Sequence, residues 1–168
     1  MKKLLNKFIL LHLLCFVFQS CNDSSIEPEE QFVQIYFKYD FRNELNTFDN
    51  TYQKDLILDG VIIVPFWLTA EEQNKIIKKA NDVNFFSMPD TFNYSSDDSI
   101  AIVIDPNPGE QVLRIKFNGK DKTTIWIFYI SQNDPQLNAL IELRKNIISI
   151  TESKPEYKRL PPANGGNL

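Results

Sequence analysis

Polar and apolar residues alternate from Phe32 to Phe41, which is the first regular pattern in the chain. A period of two over this length predicts a half-buried β-strand with its odd-numbered residues facing the core. Tyr36 falls on the opposite, even-numbered side of that strand. Residues 42–51 are polar and rich in turn-forming types, so we expect a loop there.

Two β-rich runs follow, residues 52–58 and 61–67, and they predict a β-hairpin. The pair between them is Asp59-Gly60, which accepts the positive φ angles that a two-residue turn requires. A turn at these two residues would place Leu58 opposite Val61.

The helical spacing of apolar residues predicts two helices. The first begins at Thr69, which can form a capping box with Glu72, and it ends near Asp82. The second begins at Asp134-Pro135, a capping residue followed by proline at the first helical position. Lys154-Pro155 ends this second helix.

Three further strands are expected between the helices, at residues 100–104, 112–117 and 123–130. The segment 125–130 is apolar on both faces, which is typical of a central strand that is covered on both sides. The order of strand, hairpin, helix, three strands and helix predicts an α+β fold. We expect an antiparallel sheet of about five to six strands with two helices packed on one face.

The first twenty residues have the pattern of a signal peptide, with a basic start and the apolar run Phe8 to Phe18. This run is shorter than the roughly twenty residues that a membrane span needs. It ends at Gln19-Ser20-Cys21, and the stretch resembles a bacterial lipoprotein signal. The resemblance implies cleavage after Ser20, so that Cys21 becomes the N-terminus, carries fatty acids such as palmitate and anchors the protein in a membrane.

Composition divides the chain into four parts. Residues 1–20 are the signal peptide, 21–30 an acidic tether, 31–153 a single α+β domain and 154–168 an extended C-terminal tail. The tether is short of apolar residues and carries several acidic ones, so we expect it to hold the domain away from the membrane leaflet.

Cleavage also removes the histidine and one of the two cysteines of the sequence. It takes away His12, the only histidine, and Cys15, and it leaves Cys21 as the one remaining cysteine, with its sulfur bound to lipid. Histidine is the usual general base near neutral pH and the commonest metal ligand. We therefore expect no cofactor, no metal site and no histidine-dependent catalysis in the mature protein.

The mature chain is acidic. The signal peptide contains three of the 18 basic residues, so 15 basic residues then face 22 acidic ones, a formal net charge of −7. A negative surface disfavours nucleic acid, because nucleic-acid affinity depends on cationic contacts to phosphate. We expect attachment to the membrane through the N-terminal lipid alone, and a protein or a glycan as the partner.

The carboxylates Asp97, Asp98, Asp105 and Glu110 lie in two loops that flank one predicted strand. Paired carboxylates about 5 to 10 Å apart can hydrolyse glycosidic bonds. Oxygen-rich loops can also bind calcium, and the segment 105–110 has part of that pattern. The remaining interpretation is a pair of ordinary solvated loops.

Aromatic side chains are candidate binding groups if they are exposed. Tyr36, Trp67 and Trp126, together with Phe32 and Phe128, could line an open sheet face that stacks on a sugar ring or docks a protein. Burial of these residues in the core is the alternative.

The polar loop of residues 90–99 is the second candidate binding region, and its candidate residues are Asp97 and Asp98. In the same loop, Asp98-Ser99-Ile100 resembles the three-residue acceptor for O-glycosylation in exported Bacteroidota proteins. This resemblance makes Ser99 a candidate for O-glycosylation.

A longer resemblance covers roughly Tyr52 to Pro161. It rests on four motifs, which are Thr69-Ala-Glu-Glu72, Asn84-Phe-Phe86, Ser96-Asp-Asp-Ser99 and Ser153-Lys-Pro-Glu-Tyr-Lys-Arg-Leu-Pro161. In this order they resemble a family of small Bacteroidota lipoproteins that carry a domain of unknown function. The family has no assigned activity, so the resemblance implies a location in the cell envelope but no catalytic residues.

These patterns predict a lipid-anchored protein of the cell envelope, held in the outer membrane and facing either the periplasm or the medium. We expect a non-enzymatic binding or accessory module whose candidate binding residues are Tyr36, Trp126, Asp97 and Asp98. The alternative is a carboxylate-dependent hydrolase that acts on envelope or dietary glycan.

Overall fold

The computed structural model describes residues 33–92, 102–103, 109–127, 129–130 and 134–165. They all belong to one compact unit, Gln31–Leu168. The strands are β1 (Gln34–Tyr39), β2 (Asn43–Asn46), β3 (Thr51–Ile57), β4 (Gly60–Pro65), β5 (Thr91–Phe92), β6 (Ile102–Val103), β7 (Glu110–Phe117), β8 (Lys120–Ile127) and β9 (Tyr129–Ile130). The helices are α1 (Ala70–Asp82), a short 3-10 helix (Phe85–Ser87), α2 (Pro135–Ser153) and α3 (Pro155–Lys158).

Seven strands form one sheet in the order β4-β3-β2-β1-β7-β8-β5, and β6 pairs with β9 in a second, two-stranded sheet. The described pairings are antiparallel except that of β5 with β8. The predicted α+β class is confirmed, but the main sheet has more strands than the predicted five to six. The alternation of residue types gives no sign of β2, because only Leu45 among its four residues is buried.

Both predicted helices begin at the expected capping residues. The Thr69 hydroxyl accepts a hydrogen bond from the Glu72 amide at 3.2 Å, and the Glu72 carboxylate accepts one from the Thr69 amide at 2.8 Å. In α2, the Asp134 carboxylate accepts from the Leu137 amide at 2.9 Å. The buried faces of α1 and α2 join the same core cluster as the odd-numbered residues of β1.

The inward face of the sheet is aromatic at its centre. Phe37 is fully buried and stacks on Tyr39, with ring centroids 4.6 Å apart, and on Trp126 at 6.4 Å. Val33 and Ile35 are also buried, which confirms that the odd-numbered residues of β1 face the core. This layer of rings holds the middle strands of the sheet against the helices.

Tyr39 and Tyr52 form a buried pair whose hydroxyl oxygens are 2.7 Å apart. Burial raises the pKa of both hydroxyls above the value near 10 of an exposed tyrosine. Tyr157 packs edge-on against Tyr52, at 5.5 Å between ring centroids. Burial and the nearby Glu152 carboxylate raise the pKa of Tyr157 to about 12.

The tyrosine pair predicts a loss of stability at alkaline pH. Because these hydroxyls have a higher pKa in the folded chain than in the unfolded one, their contribution is complete below about pH 10 and is lost as the pH rises further. We expect the urea midpoint of unfolding to fall steeply between about pH 10 and 12. The double variant Tyr39→Phe/Tyr52→Phe should show a shallower fall, and an equally steep one would place the alkaline transition elsewhere.

The hairpin between β3 and β4 has a register different from the predicted one. Ile57 pairs with Gly60, so Leu58-Asp59 form the turn, and Val61 pairs with Asp55. Ile57 has a φ of 63° next to a bulge in β3. The Asp55 carboxylate accepts a hydrogen bond from the Ile57 amide at 2.8 Å and so stabilises the extra residue. The predicted pairing of Leu58 with Val61 is therefore wrong.

The segment after α2 is more ordered than the extended tail that we predicted. Residues 155–158 form the short helix α3. Further on, Asn164 lies beside the end of β3, where its amide donates to the Leu56 carbonyl at 3.1 Å and its carbonyl accepts from the Leu58 amide at 3.2 Å. Because β2 pairs only with Thr51–Gln53 of β3, the tail occupies a part of β3 that β2 does not reach.

The run predicted as one strand at residues 123–130 is divided between β8 and β9. β8 lies between β7 and the two-residue strand β5. Ile127, at the end of β8, is 41% exposed, so the expectation that both faces of this strand are covered is wrong. A segment that is apolar on both faces does not by itself lie at the centre of a sheet.

Candidate docking surface

Strand β4 is apolar on both of its faces, and the outward face is exposed. After the strand, Phe66 is fully buried and continues the inward side. The outward side consists of Val61, Ile63, Pro65 and Trp67, which we call the β4 strip. Ile63 is 61% exposed and Trp67 is 59% exposed. Valine, isoleucine and tryptophan side chains are mostly buried in folded proteins, so a continuous exposed row that contains them marks a candidate docking surface.

The β4 strip lies at the edge of the sheet. β4 is the first strand in the sheet order and pairs on one side with β3. The Phe66 amide donates to the Asn50 carbonyl at 2.8 Å, so the backbone of even-numbered residues points towards β3. Because backbone groups alternate along a strand, those of Val61 and Ile63 point to the edge at which no described strand pairs with β4; we call it the free edge. Pro65 offers only its carbonyl there, since proline has no amide hydrogen.

Within the described residues, most of β4 carries none of the usual protection of an edge strand against pairing with another strand. Natural edge strands are blunted by charged residues, by bulges or by a covering segment. The sequence of β4 is Gly60-Val-Ile-Ile-Val-Pro65, which contains no charged residue. Pro65 restricts pairing at one end only. The strand therefore presents both hydrogen-bonding groups and apolar side chains to an incoming chain.

The centre of the outward sheet face is polar. Tyr36 is half-buried there, and its hydroxyl donates to the Glu44 carboxylate at 2.9 Å. Burial, followed by this hydrogen bond and the charge of Glu44, raises the pKa of Tyr36 to about 12. On β7, Arg114 pairs with Asp121 at 2.7 Å. The apolar surface is thus concentrated at the edge of the sheet rather than at Tyr36.

Trp126, a predicted binding residue, does not lie on the surface. It is 1% exposed and belongs to the inward face of β8, next to Phe37. Its indole nitrogen has no hydrogen-bond partner in the described part of the chain. The prediction that Trp126 is a docking residue is therefore wrong, because its side chain points from β8 into the core and is buried there. Of the two tryptophans, Trp67 is the exposed one.

The other predicted site residues lie mostly outside the described residues. This applies to Cys21, Asp97, Asp98, Ser99 and Asp105, and to the aromatic residues Phe32 and Phe128. Glu110 is described, and it is exposed at the start of β7. Within the described ranges, no three histidine, cysteine or acidic residues come together to hold a metal ion.

A depression of about 360 Å³ lies along one side of α2. Its lining residues all belong to that helix, and they include Glu142 and Lys145, which form an ion pair at 2.9 Å. Ligand sites usually bring polar groups together from several elements. A depression lined by a single helix does not do so, and the β4 strip is the stronger candidate.

Val61 and Ile63 were not among the binding residues predicted from the sequence. The available signal was the run 61–67, which is apolar on both faces and contains Pro65. Proline is confined to edge strands or strand ends, so this combination indicates an edge strand with an uncovered apolar face.

Comparisons of the chain with protein-family models, with curated proteins and with solved structures find no match. Among the described helices, none is long and apolar enough to cross a membrane.

Proposed function

We propose that the protein is a lipid-anchored module of the cell envelope that binds another protein through the β4 strip. Acylated Cys21 holds it in the outer membrane, and the folded domain acts as a binding or accessory unit without catalysis. The observation that carries this proposal is the exposed apolar row on an uncharged edge strand. Proteins that add a strand to such an edge gain backbone hydrogen bonds and side-chain contacts together.

The composition of the strip supports a protein partner over a glycan. Sugar rings stack on aromatic side chains, and Trp67 is the one aromatic residue of the strip. Its other members, Val61, Ile63 and Pro65, are aliphatic and suit the side chains of a β-strand. Free backbone groups at Val61 and Ile63 match an extended peptide in the same way.

The tether supports a partner that is itself in the envelope. Residues 21–32 separate Cys21 from the first described residue, Val33, and such a segment spans at most about 40 Å when fully extended. β1 begins at the same end of the sheet as the end of β4, because the pairings run from Tyr36 through Asn46 and Thr51 to Pro65. Trp67 therefore lies near the end of the sheet at which β1 begins.

Anchoring is tested with Cys21→Ala in the full chain. The unchanged protein should incorporate labelled palmitate and sediment with membranes, and the variant should do neither. Palmitate incorporation by the variant would contradict the proposed lipidation site.

Docking is tested by site-specific photo-crosslinking in living cells. A photoreactive p-benzoylphenylalanine replaces Trp67 in the strip or, as a matched control, Lys116, which is exposed on the outward face of β7. We expect a protein adduct from position 67 and at least tenfold less adduct from position 116. Equal labelling at both positions, or no adduct at 67, would remove the support for a docking strip.

A further inference from the structure

We propose that the protein docked on the β4 strip is a second copy of this chain. The two β4 strands pair antiparallel about a twofold axis and join the two seven-stranded sheets into one. This inference rests on the proposed docking role of the strip and adds the identity of the partner. In a symmetric pairing of this kind, both copies use the same surface, so that surface must be complementary to itself.

A register centred on Ile63 satisfies that requirement for the backbone of β4. With the axis at Ile63, the amide of each Ile63 donates to the Ile63 carbonyl of the other copy. Each Val61 amide then donates to the other copy's Pro65 carbonyl, which is the group that Pro65 still offers at the free edge. The two hydrogen bonds between the Ile63 residues therefore do not depend on Pro65, which has no amide hydrogen.

The side chains fit the same register. Ile63 lies next to the second copy's Ile63, and Val61 lies next to the second copy's Pro65. The register also carries Trp67 alongside the Leu58-Asp59 turn of the second copy. Leu58 is 74% exposed and Trp67 is 59% exposed, so one arrangement covers these two side chains and the strip between them.

Charge supports a second copy over a charged peptide. β4 carries no charge that would repel its own image across the axis, although the whole chain has a formal net charge of −4. The neighbouring Asp55 on β3 is buried and paired with Arg42 at 2.7 Å. A charged peptide would find no opposite charge on β4, whereas an identical apolar strand needs none.

The available area fits a dimer that forms on a membrane. Leu58, Val61, Ile63 and Trp67 are 74%, 41%, 61% and 59% exposed, so together they expose on the order of a few hundred Å² per copy. Two copies would bury about 1,000 Å² with the strand backbones included, which is near the lower limit for a specific interface. Such a dimer is weak in dilute solution, but two copies anchored in one leaflet meet at a raised effective concentration.

The register is tested by cysteine crosslinking of the full, membrane-bound chain. In an antiparallel pair, opposed residues have Cα atoms about 5.5 Å apart, which a disulfide can bridge. We expect Ile63→Cys to give a reducible dimer on oxidation, at least tenfold more than Val61→Cys, whose symmetry mate lies four residues away. The unchanged chain controls for Cys15 and Cys21. Equal crosslinking of both variants would overturn the proposed register.

A second measurement separates this inference from the proposed function. Two differently tagged full-length copies are expressed together, and Ile63→Lys in both should lower their co-purification at least tenfold, because like charges then meet at the axis. Lys116→Ala should leave co-purification unchanged. A Trp67 photo-adduct with a different protein, without an Ile63→Cys dimer, would overturn the second copy and leave the docking strip standing. The absence of every adduct would overturn both.

Discussion

Replacing Phe37 with alanine is expected to lower the free energy of unfolding by about 3–5 kcal/mol, the usual loss for a buried phenylalanine. Phe37 is fully buried and lies between Tyr39, at 4.6 Å, and Trp126, at 6.4 Å. Its removal leaves a cavity and two rings without their common neighbour. Because domains of this size are stable by about 5–15 kcal/mol, this loss is a large fraction of the total stability. Urea denaturation followed by circular dichroism measures the loss.

The matched control is Lys38→Ala, one residue further along β1. Lys38 lies on the outward face of the sheet and is half-buried. Its truncation should change the urea midpoint little, since it leaves the aromatic layer intact. If both variants lost the same stability, strand propensity rather than ring packing would explain the effect of Phe37.

Replacing Glu72 with alanine is expected to cost about 2–4 kcal/mol, because it leaves a buried ammonium group unpaired. Lys154 is buried at the end of α2 and contacts both Glu72 carboxylate oxygens, at 2.7 and 3.0 Å. The same carboxylate caps α1 through the Thr69 amide. One side chain thus joins the start of α1 to the end of α2, and thermal unfolding of the variant should report the loss of both contacts.

Glu71→Ala is the control for helix propensity and charge. Glu71 is the preceding residue of α1, and both Glu71 and its partner Lys75, at 2.8 Å, are exposed. Exposed pairs of this kind contribute little, so we expect almost no change. A similar loss from both variants would show that the Glu72–Lys154 pair has no special role.

The ion pair of Glu72 and Lys154 also makes the stability of the protein depend on pH. Burial by itself would raise the pKa of this carboxyl, but the hydrogen bonds from Lys154 and Thr69 outweigh burial and hold the pKa below its usual range. A carboxyl with a lowered folded-state pKa stabilises the protein above its unfolded pKa, and that stability is lost as the pH falls below about 4.5. The variant should therefore lose less stability on acidification than the unchanged chain.

Features of the fold that depend on nearby residues could be predicted from the sequence. The capping box of Thr69 and Glu72 and the Asp134 cap are examples, because a cap is formed by residues three positions apart. The side of β1 that faces the core could also be predicted, since a long alternation of polar and apolar residues is consistent with only one inward side. These features required no knowledge of which strands become neighbours.

Features that depend on distant partners could not be predicted in this way. The hairpin register changes at Ile57, whose bulge is held by Asp55 and lies beside Asn164 from the tail. The choice between Trp67 and Trp126 as the exposed ring depends on sheet order. Both lie in runs that are apolar on two faces, but β4 is at the edge of the described sheet with an open outward face, while the core covers Trp126.

The contrast between the two tryptophans has a practical consequence. The chain contains only these two, with Trp126 in the core and Trp67 in contact with solvent. Their fluorescence should therefore separate into a blue-shifted emission from Trp126 and a red-shifted emission from Trp67. Acrylamide or iodide would quench the second emission selectively, and loss of that quenching would report occupancy of the edge while the first emission monitors folding.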